Sequence, residues 1–383
     1  MSVTAAQGFT AHGVAAGLKS TGAPDVAVVV NQGPSSAASA VFTSNRCKAN
    51  PVLWSEKAIQ TGSAVAVAIN SGGANCYTGA EGFATTHRTA ETVAEMLDIG
   101  AIDVQVCSTG LIGLLNDREA LLSGVRAAVE GQSRDGGHTA ATAIMTTDSV
   151  AKEAVVQADG FTVGGMAKGA GMLAPALATM LVVITTDADV DSATVDAALR
   201  SATARTFDRL DSDGCQSTND TVLLMASGAS GTTPDAATFT DAVTAVCHDL
   251  AMQLLADAEG ADHEIAIEVV NAATVDDALE VGRSVARSNL FKCAIFGKDP
   301  NWGRILASVG TTRATFDPAD LDVALNDVWV CRNSGPGESP DSIDLEARAV
   351  SVTIDLKSGD QSGTIWTNDL TQAYVHENSA YSS

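Results

Sequence analysis

The sequence predicts a mixed, layered α/β body with a strand-rich C-terminal part. Short Val/Ile-rich runs ending in Gly- or Ser-rich loops alternate with segments of helical spacing. Other strands cluster together, which a doubly wound parallel sheet would not do. Apolar residues make up 45% of the 383 residues and aromatics only 4%. The core is therefore mostly Ala, Val, Leu and Ile around abundant Gly, and such small side chains let helices sit close to sheets. The length suffices for two or more domains or one large layered body.

Residues 26–30, 64–69 and 104–107 read as short buried strands, each leading into a Gly- or Ser-rich loop. A helix is predicted over 89–97, with Gly100 as its stop, and another over 117–130, where Asp117 and Glu119 favour the N-terminal dipole end. Strands follow at 161–166 and 181–186, and then a helical pattern rich in alanine at 191–210. A longer helix is predicted from about 235 to 258, because Pro234 suits a first turn and Phe239, Val243, Val246, Leu250 and Leu254 recur at three and four. Residues 264–270 alternate as a strand, 275–288 read as a helix, and a strand is expected around 292–296. The last third is strand-dominated, at 323–330, 350–356 and 363–366, with an exposed loop over 333–344.

The net charge of -24 repels nucleic-acid phosphates and anionic membranes, so neither is an expected partner. Seven widely spaced cysteines without a CxxC pair point to reduced thiols in a cytoplasmic protein. The N-terminus lacks the basic start and apolar stretch of a signal peptide, and no uncharged apolar run reaches membrane-spanning length. The six histidines, His12, His87, His138, His248, His263 and His376, are isolated, so no metal is expected.

Four Gly-rich polar loops are candidates for a site: 70–79, 107–113, 168–171 and 297–303. None is a phosphate loop, since neither GxxxxGK[ST] nor a GxGxxG after a strand occurs, and GxSxG is absent too. Glycine permits backbone N–H groups to approach a substrate oxygen closely, and STGLIG after VQVC could supply an oxyanion hole. Taken alone, an ordinary turn is the commoner reading of such a loop. Thr179 stands where the Gly/Pro-rich approach KGAGMLAPALATM becomes an apolar strand. Were the Ala178–Thr179 bond cut, the new α-amine, with an ordinary pKa of about 7.7 to 8, could take the threonine's hydroxyl proton. On spacing alone, a β-branched residue in a sheet is the commoner reading of Thr179.

The longer words of the chain, in order, are GVAAGLK, FTSNR, NSGGANCYTG, CSTGLIG, MTTDS, TVGGMAKGAGMLAPALATML, DSDGCQSTNDT, AEGA, KDPNWGRI and the terminal ENSAYSS. Together they resemble the ArgJ family, the glutamate N-acetyltransferases also called ornithine acetyltransferases, over essentially the whole length. KGxGMxAPxxATM is that family's signature at an autoproteolytic junction.

The resemblance implies a fold of β-sheets sandwiched with helices, and cleavage after Ala178 into an α chain, 1–178, and a β chain, 179–383. It places the nucleophile at Thr179, the oxyanion pair at Thr109 and Gly110, and substrate contacts at Thr146, Lys168, Glu259, Asn378 and Ser383. Lys168 suits a substrate carboxylate and Glu259 a substrate ammonium. The implied reaction moves acetyl from N2-acetyl-L-ornithine to L-glutamate, giving L-ornithine and N-acetyl-L-glutamate in cyclic arginine biosynthesis. No cofactor is implied, and the implied assembly is a heterotetramer of two α and two β chains. A bifunctional form of the family also uses acetyl-CoA; the sequence leaves that open, along with an N-terminal-nucleophile amidase or aminopeptidase and an inactive binding paralogue. Cys76-Tyr77, Ser149 and Asp262-His263 depart from the usual family words. The last pair lies three and four residues beyond Glu259 and bears on substrate preference.

Overall fold

The computed structural model describes residues 2–172 and 180–380. Among them, strands form three sheets whose alternating residues divide the apolar side chains between faces. The first sheet runs Phe9–Val14, Val26–Asn31, Ala66–Asn70, Val104–Ser108, antiparallel except for its last, parallel pair. The second runs Ala37–Phe42, Thr221–Ala226, Leu181–Thr186, Phe161–Lys168, Lys152–Ala158.

These two sheets lie face to face. Ala27, Val29, Val67 and Ile69 of the first share a core with Met166, Leu181, Val183, Leu223 and Met225 of the second. Val26, Val28 and Val30 turn the other way, under the helices Gly79–Leu97 and Arg118–Glu130. On the far side, Val182, Ile184, Val222 and Leu224 pack under Ser192–Arg205 and Ala236–Ala256. The result is helix, sheet, sheet, helix, a mixed α/β sandwich. Strands buried on both faces need continuous apolar runs, and the all-buried strands Val26–Asn31 and Leu181–Thr186 have them.

The third sheet is the strand-rich C-terminal part, in the order Gly335–Pro336, Val328–Arg332, Asp322–Leu325, Ala349–Asp355, Glu264–Ala272, Gln361–Asn368. Helices Val275–Ala286, Asn289–Phe296 and Trp302–Val309 cover it. It joins the sandwich where Leu210 pairs with Trp366 and the Asp211 N–H donates to the Trp366 carbonyl at 2.8 Å.

Two readings of the sequence need correction here. Residues 292–296 are helix, not strand: Ser288 caps Asn289–Phe296 by accepting the Phe291 N–H, and Gly297 ends it. The expected strand 323–330 is a hairpin, because Asn326 and Asp327 both take positive φ, 45° and 64°, and turn the chain between Leu325 and Val328. The seven cysteines are all unpaired, and no described helix is long and apolar enough to cross a membrane.

Candidate active site

The ends of strands from both sandwich sheets, together with the C-terminal helix Gln372–Ala380, meet at a cleft of about 210 Å³. The loop after Val104–Ser108 supplies Thr109, Gly110, Leu111 and Ile112, and the loop after Ala66–Asn70 supplies Ala74. Strand Phe161–Lys168 ends in Lys168, with Gly171 and Met172 beyond it. Thr146, Thr147, Ser217, Thr218, Asn219, Glu259 and Asn378 complete the lining.

Buried amides hold the oxyanion candidate in place. Asn219 Nδ2 donates to the Ala74 and Ser108 carbonyls at 2.7 and 2.8 Å, tying two loops together. Asn70 Nδ2 donates to Ser108 Oγ at 2.7 Å, and the Thr109 N–H to the Asn70 carbonyl at 2.9 Å. Gly110 has φ +121°, and a Cβ there would stand 3.0 Å from Gly73 Cα. Only glycine meets both demands without strain.

Lys168 is 1% exposed, and its Nζ donates to Thr146 Oγ1 at 2.7 Å and Thr109 Oγ1 at 3.3 Å. A hydroxyl that accepts from an ammonium keeps its own proton free to donate, so the lysine points both hydroxyl protons away from itself. Asp148 Oδ2 stands 3.9 Å from Lys168 Nζ, and Asp148 Oδ1 accepts from Lys152 Nζ at 2.7 Å and the Gly169 N–H at 2.6 Å. Lys152 also pairs with Asp257 at 2.5 Å. Burial pushes the Asp148 carboxyl up, but the Lys168 and Lys152 charges, the Lys152 hydrogen bond and the Thr146 N–H outweigh it and hold it down at about 2. Burial lowers the Lys168 ammonium, with Asp148 opposing.

Glu259 is seated by backbone and by the C-terminal helix. Its N–H donates to the Ala170 carbonyl at 2.9 Å, and its Oε2 accepts from Asn378 Nδ2 at 3.1 Å. Gly171 makes room for it: a Cβ there would stand 2.7 Å from Glu259 Oε2. The cleft thus combines oriented hydroxyls, a glycine N–H and a buried cation with a carboxylate, a set suited to an acyl carbonyl and an amino-acid zwitterion.

The structure brings Thr109, Gly110, Thr146, Lys168, Glu259 and Asn378 into this one cleft. Ala178, Thr179 and Ser383 lie outside the described residues. Three of the four Gly-rich loops reach the cleft; 297–303 does not, since it leads into Trp302–Val309. Sequence reasoning missed Ser217, Thr218 and Asn219, although they stand within DSDGCQSTNDT.

The ArgJ family model matches residues 10–383. The chain belongs to the ArgJ family. The arginine biosynthesis bifunctional protein ArgJ of Streptomyces avermitilis is 63% identical over 383 residues, covering 100% of both chains, and that of Streptomyces coelicolor is 61% identical with the same coverage. Among solved structures, the ornithine acetyltransferase of Mycobacterium tuberculosis complexed with ornithine is 52% identical, covering 47% of this chain and 96% of that one, with a TM-score of 0.45.

Within this ArgJ-family chain, the unusual residues fall around the cleft rather than in it. Ser149 donates from its N–H and hydroxyl to Asp257, steadying the partner of Lys152. His263 is buried with Nδ1 2.7 Å from Asp369 Oδ2 and Nε2 3.1 Å from the Leu345 carbonyl, while the Asp262 and His263 N–H groups both donate to Asp369 Oδ1. Cys76 is buried and Tyr77 exposed, in the loop whose Cys76 carbonyl accepts the Gly113 N–H at 2.9 Å.

Proposed function

We propose that this chain transfers acetyl from N2-acetyl-L-ornithine to L-glutamate in arginine biosynthesis, through an acetyl ester on Thr179. The observation that carries the reading is the meeting of Thr109, Gly110, Lys168 and Glu259 in one cleft of a chain that matches ArgJ proteins from end to end. The chain first cuts itself: the Thr179 hydroxyl attacks the Ala178 carbonyl, the peptide C–N bond breaks, and water opens the ester. The products are residues 1–178 and 179–383, assembled as a heterotetramer.

The freed α-amine of Thr179 takes its own hydroxyl proton as the oxygen attacks the acetyl carbonyl. The Gly110 N–H and the Thr109 hydroxyl hold the oxyanion. Ornithine leaves with the proton, glutamate enters, and its amine takes the acetyl group from the ester. Lys168 meets the substrate carboxylate, Glu259 its ammonium, and Thr146, Asn378 and Ser383 fix its remaining polar groups. The proposed compartment is the cytoplasm, where seven unpaired cysteines stay reduced.

The name "bifunctional" on the Streptomyces relatives favours a second activity, with acetyl-CoA as an additional donor to Thr179. Three assays separate the readings. N-acetylglutamate formed from acetylornithine only when glutamate is present supports transfer; acetate released at the same rate without glutamate supports an amidase. Turnover with acetyl-CoA and glutamate identifies the second donor. A Thr179→Ala chain that still matures into two pieces would remove Thr179 from self-cleavage.

A further inference from the structure

A second cavity, of about 330 Å³, lies against the cleft, and Glu259 lines both. The C-terminal helix spans the two as well. Tyr374 lines the second cavity, while Asn378, one turn on, lines the cleft and donates from Nδ2 to Glu259 Oε2 and to the Tyr374 carbonyl, each at 3.1 Å. The second cavity has the size of a small-molecule site, and the reaction above uses nothing in it except Glu259.

Its wall holds a buried cation. Lys292 interrupts the apolar run LFKCAIF, and the helix Asn289–Phe296 buries it with Phe291, Ala294 and Ile295, leaving it 6% exposed. Its Nζ donates to the Ser212 carbonyl and makes no other hydrogen bond or ion pair among the described residues. An ammonium has three donors, so most of its capacity is unspent, a costly state for a buried charge. The acids near it are Asp213, Asp211 and Asp369. Asp211 is engaged by Arg287 Nε at 2.7 Å, and Asp369 by His263 Nδ1 at 2.7 Å and by two backbone N–H groups. Asn368, in the same wall, is spent too, donating to the Leu255 and His263 carbonyls and accepting the Ser212 hydroxyl. Glu259 and Asp213 bring negative charge to the cavity that Lys292 lines. An ammonium with donors to give, together with carboxylates, suits a zwitterion rather than a simple anion.

We propose that this cavity is a second site for a free α-amino acid, its carboxylate held by Lys292 and its ammonium turned toward Glu259 and Asp213. The inference rests on the reading of the neighbouring cleft as an amino-acid site. No acyl chemistry takes place in the second cavity, because Thr109 and Gly110 line only the cleft. Since both occupants draw on the one Glu259 charge, an amino acid in either cavity weakens binding in the other.

Equilibrium dialysis of the mature, unacetylated enzyme against L-[¹⁴C]ornithine and, separately, L-[¹⁴C]glutamate counts the sites. At saturation, at least one of the two should bind at two equivalents per pair of 1–178 and 179–383 pieces, and the arm that does so identifies the occupant. Lys292→Met keeps the apolar stem, removes the charge and should bind one. A single equivalent of each amino acid in the unsubstituted enzyme, or a second equivalent that survives in Lys292→Met, overturns the inference. Should Lys292→Met fail to fold, Asn289→Trp takes its place: Asn289 is exposed in the cavity wall, where an indole would fill the space, and the same loss is expected. Lys168→Ala separates the two levels. If the unsubstituted enzyme binds one equivalent and Lys168→Ala none, only the second site fails. If binding is unchanged in Lys168→Ala while one equivalent depends on Lys292, the second site stands and the reading of the cleft fails.

Discussion

Lys168 Nζ donates to Thr109 Oγ1 at 3.3 Å, so a buried cation ending a strand of one sheet sets the hydroxyl direction in a loop of the other. The contact bridges the sandwich at its cleft and leaves the Thr109 proton free for an oxyanion.

Removing that hydroxyl should slow acyl chemistry without unfolding the protein. Thr109→Ala is expected to lower kcat by roughly 10²-fold or more in cleaved enzyme, the usual effect of losing one oxyanion donor. Steady-state kinetics on purified, fully processed protein check this. An unchanged kcat would remove Thr109 from the role.

The Asp148 carboxyl links stability to acid. Its folded value of about 2 lies below the unfolded 3.8, so its stabilisation is fully present above 3.8 and is lost as the pH falls through 2. The gap corresponds to roughly 2 kcal/mol. Urea unfolding at pH 5, 4, 3 and 2 should show the unsubstituted protein losing about that much more than Asp148→Asn across this window. Parallel losses in the two proteins would contradict the assignment.

Gly171 leaves the space that the Glu259 carboxylate fills. Gly171→Ala would place a methyl group 2.7 Å from Glu259 Oε2 and force the carboxylate aside. The expected outcome is a higher KM for acetylornithine with a smaller change in kcat, and a melting temperature close to that of the unsubstituted protein. Kinetics and a thermal melt on the same sample test both halves.

His263 lies four residues after Glu259 but turns away from the cleft, toward Asp369 and the Leu345 carbonyl. His263→Ala should therefore cost about 2–3 kcal/mol of stability, because it strips a buried carboxylate of a hydrogen-bond partner. The KM for either amino acid should stay unchanged. A shifted KM in folded protein would place His263 in substrate choice after all.

Much of the fold was legible because valine-rich strands and capped helices state themselves in sequence: Asp117, Asp191 and Asp235 each cap a helix as their positions suggest. The first ten residues of Gly79–Leu97 were not, for the helix is laden with threonines. Thr85, Thr86, Thr89 and Thr92 each turn their hydroxyls back to the carbonyl four residues earlier, satisfying groups that would otherwise favour turns. The apolar run at 292–296 is too short for periodicity to decide, and Ser288 with Gly297 was the signal to use. In the site, glycine loops announced Thr109, Gly110 and Lys168 locally. Thr146, Glu259 and Asn378 come from distant elements and were reached only through the resemblance, while Asn219 looked like one polar residue among many.

The most direct test of the account is the mass of the two pieces after incubation with N2-acetylornithine, without glutamate, and an acid quench. The account predicts one acetyl group on the 179–383 piece, located at Thr179 and lost when glutamate is added before the quench. An uncut 383-residue chain, or processed pieces that turn over substrate while neither carries acetyl, would contradict it.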